Sequence, residues 1–347
     1  MSNENMDVLI IGGTRRSGPH LIRALAEAGH RVTCLHRGVH RAQLPKEVKE
    51  VLADRRDPLA FRTAVDRLDV ETVVDMIAMN DTDVEAVMHV LGRRIAHYVV
   101  ISSYDVYEAY EAAWFRRPYP HPLPISEDAP KAKVRFLYGK ELGYDKVLVE
   151  EAARRAAAFY NISLTIVRYP ALYGPGDTTP REWYYVRQAL DRRSVVIAPC
   201  GGQALFSRGY VENMAHAVRL AIEKPPPRER VLNAADTGQF TVRQIIEAVA
   251  AFLGHRWEVV DLPDELLPPH QPSQAFPYSM DPYHIRPHLL LDTTRLRADL
   301  GYDDVVSPVV ALEATVRWLV EIGEPTQLGL RLDYAAIDAA VRRARGK

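Results

Sequence analysis

The sequence is poor in cysteine, nearly neutral and without a long apolar run, and each shortage excludes a class of protein. Its two cysteines, Cys34 and Cys200, lie far apart with neither a C-x-x-C pair nor a histidine at ligand spacing. A disulfide framework and a structural metal are not expected, and a reducing cytoplasm suits the chain. The 44 basic and 45 acidic side chains leave a net charge of −1. No overall basic field exists to draw in nucleic acid or an anionic membrane. No stretch reaches the roughly 18 apolar residues of a membrane span, and the polar start MSNENMD carries no targeting pattern. Internal repeats and low-complexity tracts are missing as well.

What is present is material for a large core: 347 residues, 47% of them hydrophobic, enough for one large α/β unit or two lobes. The runs DVLIIGG, HRVTCLH, VKEVLAD, ETVVDMIA, HYVVISS and LTIVRYP read as strands, and the first five are separated by stretches long enough for crossover helices. Their continuous Val/Ile/Leu character suits a parallel sheet covered on both faces. The predicted fold class is therefore α/β and doubly wound.

After Tyr173 the texture changes. A Pro/Gly-punctuated loop, GPGDTTPREW, leads to helix, strand, helix (YVENMAHAVRLAIEK), strand (RVLNAAD) and helix (TVRQIIEAVAAFLG), the last with Thr241 as N-cap and Gly254 just past its end. From Pro263 to Pro287 prolines are dense, and a loop of that length reads as cover for a site. The tail DYAAIDAAVRRARGK predicts a terminal helix with its cations near the C-terminus.

The stretch VLIIGGTRRSGPHLIRAL runs from strand to helix through Gly12, Gly13, Thr14, Arg15, Arg16, Ser17 and Gly18. A middle glycine is missing, and Arg15 stands in its place. Such a turn aims backbone N–H groups and the positive helix end at a pyrophosphate, with Gly12 and Gly13 making the turn and Gly18 letting the helix pack close. An ordinary β-α glycine turn is the alternative. Where an NAD site places an Asp or Glu about 20 residues on, this chain has CLHRG, with His36 and Arg37. With no carboxylate to repel a phosphate, Arg37 and Arg15 or Arg16 suit the 2′-phosphate of NADP, which is favoured over NAD. Solvated surface arginines are the plainer reading.

GGTRRSG, HRG, LADRRD, VVISSYDVY, GYDKVLVEEA and VRYPALYGPGD occur here in the order found in the extended and atypical short-chain dehydrogenases. Over residues 7 to 320 the chain resembles the NAD(P)-dependent epimerase/dehydratase family. The resemblance implies a Rossmann domain over 1–175, with 205–237 returning to it, and a smaller C-terminal substrate-binding lobe of 176–204 and 238–330, followed by a helix over 331–347. It also implies that Asp54 faces the adenine, that Ile77, Ala78 and Met79 line the cofactor groove, and that Tyr169, Pro170 and the residues to Tyr173 approach the nicotinamide.

The family works with Ser/Thr, Tyr and Lys, the last two four apart on one helix so that the ammonium lowers the phenol's pKa and holds the nicotinamide ribose. The serine corresponds to Ser103 and the lysine to Lys146. Four residues before Lys146 stands Leu142, so the family's tyrosine is missing. Tyr144, two positions from the lysine, would point about 160° away from it on a helix. Tyr138 lies where the helix begins or just before it, and is the expected substitute; the alternative is that no tyrosine serves and Lys146 only binds cofactor. The Asp-Glu pair of the family's dehydratases corresponds to Tyr104 and Asp105, which demotes dehydration; Asp105 is a shortened acid/base or a turn residue. Arg208 falls near groups that grip a substrate phosphate, with a surface salt bridge as the other reading. His270, His284 and His288 lack a completed ligand set, Pro287 interrupts any helix there, and with Tyr278 and Tyr283 they read as lining of a substrate lobe.

The expected function is hydride transfer at a carbinol carbon of a sugar-like or polyhydroxylated substrate, in a homodimer. A cofactor-binding regulator without turnover is the alternative, and a relative of the chloroplast stem-loop-binding proteins, which share GGTR, is a third reading that the near-neutral charge opposes.

Overall fold

The computed structural model describes residues 5–40, 42–267, 288–325 and 332–346. In chain order its first half runs β1 (Asp7–Ile11), α1 (Gly18–Glu27), β2 (Arg31–His36), β3 (Lys49–Leu52), α2 (Pro58–Val65), β4 (Thr72–Asp75), α3 (Asp81–Leu91), β5 (His97–Ser103), α4 (Glu108–Trp114), α5 (Lys146–Tyr160) and β6 (Ser163–Tyr169). Its second half runs β7 (Ala171–Tyr173), α6 (Trp183–Leu190), β8 (Val195–Pro199), β9 (Arg208–Tyr210), α7 (Val211–Glu223), β10 (Glu229–Asn233), α8 (Val242–Phe252), β11 (Glu258–Leu262), α9 (Thr294–Leu300), α10 (Pro308–Ile322) and α11 (Tyr334–Ala344).

The described residues cluster into two units. One lies within Met1–Pro170, Val211–Ala235 and Leu291–Val305, the other within Ala171–Tyr210, Asp236–Leu290 and Val306–Lys347. The return near 205–237 is Val211–Ala235, so β9 stays with the second unit. A further return, Leu291–Val305, is assigned to the lobe by the sequence reading; here α9 packs on α7 and β10 in the first unit.

In the first unit, seven parallel strands of the described residues form one sheet in the order β10-β6-β5-β4-β1-β2-β3. The chain winds from β1 outward to β3, then crosses to β4 on the other flank of β1. The strand order reverses between β1 and β4, and ligands of such sheets bind beyond the carboxyl ends of the strands at that point. Why the sheet sits inside is plain from its strands. Leu9 and Ile10 of β1, Val73 and Val74 of β4 and Tyr98 to Val100 of β5 are fully buried, each large apolar side chain contributing roughly 1.5–3 kcal/mol. Helix α1 adds Leu21, Ile22 and Leu25 from one face. The edge strand β3 alternates no such residues and leaves Lys49 and Glu50 exposed, which blunts the open edge.

The second unit pairs β7 with β9 and β8 with β11, both parallel; α8 packs on β8, and α6, α8 and α10 pack on one another. Thr241 caps α8 in a reciprocal box with Gln244, and Gly254 follows that helix at φ +57°. Helix α11 is capped by Asp333 and ends with Arg342 and Arg343. Most of the Pro263–Pro287 stretch, with His270, Tyr278, Tyr283 and His284, lies outside the described residues; His288 lies within them and its Nδ1 accepts the Leu205 N–H at 3.1 Å. Among the described residues no helix is long and apolar enough to cross a membrane, and no His/Cys/Asp/Glu group is arranged to hold a metal.

Candidate active site

The glycine turn stands at the carboxyl end of β1. Gly12 has φ +85°, and a Cβ there would lie 2.5 Å from the Ile77 side chain. At Gly18 a Cβ would meet the Gly13 carbonyl at 2.5 Å, which is why the helix can start so close to the strand. Pro19 follows at the second helical position, where a missing N–H is tolerated. Arg16 is the left-handed residue of the turn, at φ 52°. Ser17 is buried and makes no side-chain cap; its hydroxyl meets the Tyr169 phenol at 3.2 Å, tying the turn to the end of β6. These glycine cradles, at the point where the strand order reverses, fit a dinucleotide's pyrophosphate.

The end of β2 is more mixed than its sequence implies. Arg37 lies 3.7 Å from Asp54, Arg15 lies 3.2 Å from His40, and His36 bonds Glu50 at 2.8 Å. The expectation of no carboxylate here is corrected: β3 and the loop after it bring two. Both Arg37 and Asp54 are exposed, and a pair of that kind contributes little.

The floor beside the turn is held by Arg55, Asp75 and Asp83, none of them among the expected site residues, together with Lys146. Buried Arg55 bonds both oxygens of Asp75, at 2.8 and 2.7 Å, lies 3.0 Å from Asp83, and donates to the Ile77 carbonyl. Lys146 Nζ donates to the Ala78 carbonyl at 2.6 Å, and Met79 N donates to Asp83 at 2.8 Å. Ile77, Ala78 and Met79 are thus each pinned. The signal lay in LADRRD and VVDMIAMND, where charged residues interrupt buried strand ends and must find partners.

Ser103, at the end of β5, caps the 3-10 turn Tyr104–Val106 by accepting the Asp105 N–H at 3.2 Å. Helix α5 begins at Lys146, because the Asp145 carboxylate accepts the N–H groups of Val147 and Leu148 at 3.0 and 3.3 Å. Tyr144 therefore precedes the helix, and the expectation that it turns away from Lys146 is corrected. Its ring centre is 5.7 Å from Lys146 Nζ, its hydroxyl donates to Asp105 Oδ2 at 2.7 Å, and Ser103 is a further hydrogen-bonding neighbour. Ser103, Asp105 and Tyr144 are half-buried, so a reactant can reach them. Tyr138 is buried behind, edge-on to Trp114, 5.6 Å from the Tyr144 ring, and donates to Tyr110 at 3.0 Å. Leu142 sits in a separate 3-10 turn, Lys140–Leu142, half exposed.

Burial lowers the Lys146 ammonium to about 8, and it donates hydrogen bonds to two carbonyls, those of Ala78 and Ile101. Burial, and then the neighbouring Asp105, push the Tyr144 phenol well above its ordinary range. Burial also raises Asp105, against the bonds from Tyr144 and Ser103.

The model of the NAD dependent epimerase/dehydratase family matches residues 8–235. The chain belongs to that family. Among curated relatives, 2'-dehydrokanamycin reductase of Streptomyces kanamyceticus is 24% identical over 266 residues, 76% of this chain and 71% of the relative. The chloroplast stem-loop binding protein of 41 kDa b of Arabidopsis thaliana is 25% identical over 257 residues, 70% of this chain and 62% of the relative. Among solved structures, UDP-glucose 4-epimerase of Thermotoga maritima superposes with a TM-score of 0.69 at 19% identity, covering 92% of this chain and 100% of the other.

In the second unit of this family member, Arg208 is buried, so the surface salt-bridge reading is corrected. Its guanidinium pairs with buried Glu182 and lies 4.0 Å over the Tyr173 ring, whose hydroxyl donates to Asp236 at 2.6 Å. Glu182 was not foreseen; a lone acid in PREW gives no periodic signal.

Proposed function

We propose that this chain is an NADP-dependent oxidoreductase or epimerase that moves a hydride at a carbinol carbon of a sugar-like or polyhydroxylated substrate. The observation that carries the reading is the meeting of Ser103, Tyr144 and Lys146 at the carboxyl end of β5, in the same unit as the glycine turn. Bound nicotinamide would supply the hydride acceptor or donor. Gly12, Gly13, Thr14 and Gly18 would cradle its pyrophosphate, and Ala78, Tyr169 and Pro170 would border the groove. Ser103 would bond the reacting oxygen, Tyr144 would exchange its proton, and Lys146 would hold the ribose side. Tyr144 takes the role first given to Tyr138, because it is the tyrosine with accessible surface beside the serine; Tyr138 backs it.

NADP is preferred because Arg15, Arg37 and His40 gather at the end of β2, and the exposed Asp54 holds Arg37 weakly enough for a phosphate to replace it. Support for an enzyme comes from family membership and from a relative named as a reductase. A homodimer in a reducing cytoplasm completes the reading; neither cysteine forms a disulfide.

Titration calorimetry with NADP⁺ and NAD⁺, followed by absorbance assays of coenzyme reduction and oxidation over a panel of polyols, sugars and their keto forms, tests it. Heat with both coenzymes, stronger with NADP⁺, and turnover on a panel member are expected. No heat with either coenzyme overturns the reading.

A further inference from the structure

A phenol that keeps its proton is a poor base by itself. In this site the usual remedy is weak: the Lys146 ammonium is spent on the carbonyls of Ala78 and Ile101, and lies 5.7 Å from the Tyr144 ring. A proton that reaches Tyr144 from a carbinol therefore needs somewhere to go. The Tyr144 hydroxyl already points its hydrogen at one acceptor, Asp105 Oδ2, 2.7 Å away.

We propose that Asp105 is the proton terminus of the site, taking through Tyr144 the proton that a substrate carbinol gives up and returning it by the same route. This rests on the functional reading above. As the carbinol O–H bond breaks, its proton passes to the Tyr144 oxygen while the phenol's own proton passes to Asp105. The carbinol's hydride leaves to oxidised nicotinamide, so the substrate loses two electrons and the coenzyme gains them. The product is a carbonyl, a neutral phenol and a neutral carboxyl. Reduction runs the same transfers backwards and leaves Asp105 ionised. For an epimerase the proton stays on Asp105 between the two halves; for a simple oxidoreductase it is lost to water.

The surroundings suit such a store. Ser103 from β5, Lys146 from the start of α5, and Tyr144 and Tyr138 from the loop before it face Asp105, and Tyr110 of α4 accepts from Tyr138. A small cavity of about 20 Å³, room for about one water, is lined by Asp105, Tyr138, Tyr144 and Lys146 together with Ala132 and Val134. It offers a path for exchange with solvent. Asp105 is half-buried and raised above the ordinary aspartate range by its burial, so it can hold a proton nearer to neutrality.

Two measurements test this. In cofactor-free protein, phenolate absorbance is titrated for the wild type, Tyr144→Phe, Asp105→Asn and Asp105→Glu. Tyr144→Phe removes the high-pH transition that belongs to Tyr144; Asp105→Asn, which keeps an acceptor but not the charge, lowers that transition by about one unit; Asp105→Glu restores it. With a panel substrate that turns over, Asp105→Asn lowers kcat about hundredfold with KM within threefold, and formate added to Asp105→Ala recovers rate. A purely structural hydrogen bond would not be rescued by formate. An unchanged Tyr144 titration in Asp105→Asn, or kcat within a few-fold of the wild type, overturns the proposal. If the titration shifts as stated while calorimetry finds no coenzyme binding, the functional reading fails, and the relay fails with it for want of a reaction.

Discussion

The Asp145 carboxylate accepts the amides of Val147 and Leu148 and so sets the start of α5 at Lys146, two residues beyond Tyr144. That single cap decides which tyrosine meets Ser103. Replacing Tyr144 by Phe should lower kcat by about 10²- to 10⁴-fold, whereas Tyr138→Phe, which loses a bond to Tyr110 behind the site, should cost less than tenfold; steady-state rates on a panel substrate decide. At the other end of the groove, Arg37→Ala should weaken NADP⁺ by about 1.5–3 kcal/mol and leave NAD⁺ nearly unchanged, by calorimetry. His40 is held below its ordinary value by burial and by Arg15 and Arg37. A bound phosphate would draw its proton back, so NADP⁺ affinity should rise as pH falls through the histidine range while NAD⁺ affinity stays flat. Gly18→Ala places a methyl 2.5 Å from the Gly13 carbonyl. It should destabilise the fold by about 1–3 kcal/mol and open the turn, read as a lower melting temperature together with weaker coenzyme binding.

Among elements, the join of β5, α5 and β6 depends on a buried charge pair. Arg168 Nε and Nη2 donate to the two oxygens of Glu150 at 2.8 and 2.9 Å, Ser102 and Lys131 add bonds, and the Tyr107 hydroxyl accepts from Arg168 Nη1. Burial opposes the Glu150 charge, but the bonds and charge of Arg168 and Lys131 win and hold it at about 2. Because the folded value lies below the ordinary 4.5, this stabilisation is complete above about pH 4.5 and fades as pH falls toward 2. Glu150→Gln should cost about 3–5 kcal/mol by leaving Arg168 buried and unpaired, and should flatten the acid limb of a urea-denaturation series run against pH.

Taken whole, the molecule has no surplus charge with which to hold a polyanion, and its stability should respond to a coenzyme instead. A ligand at about a hundred times its dissociation constant adds about 2.7 kcal/mol, enough to raise the melting temperature by several degrees in a scanning experiment with NADP⁺. Single-stranded RNA at physiological salt should raise it by nothing measurable.

The strand runs, the glycine turn, the Thr241 cap and the terminal helix were legible in the sequence, since each depends on residues within a few positions of one another, while Ser103 and Lys146 were found through the family resemblance. Local periodicity and capping act at that range. What only the tertiary structure decided lies between distant segments: Glu50 on His36 and Asp54 near Arg37, Arg55 on Asp75, Glu182 on Arg208, and Tyr144 on Asp105, 39 residues away. Polar groups drawn out of water take whichever partner the packing brings near, and that choice is made by the sheet order and not by neighbours in the chain.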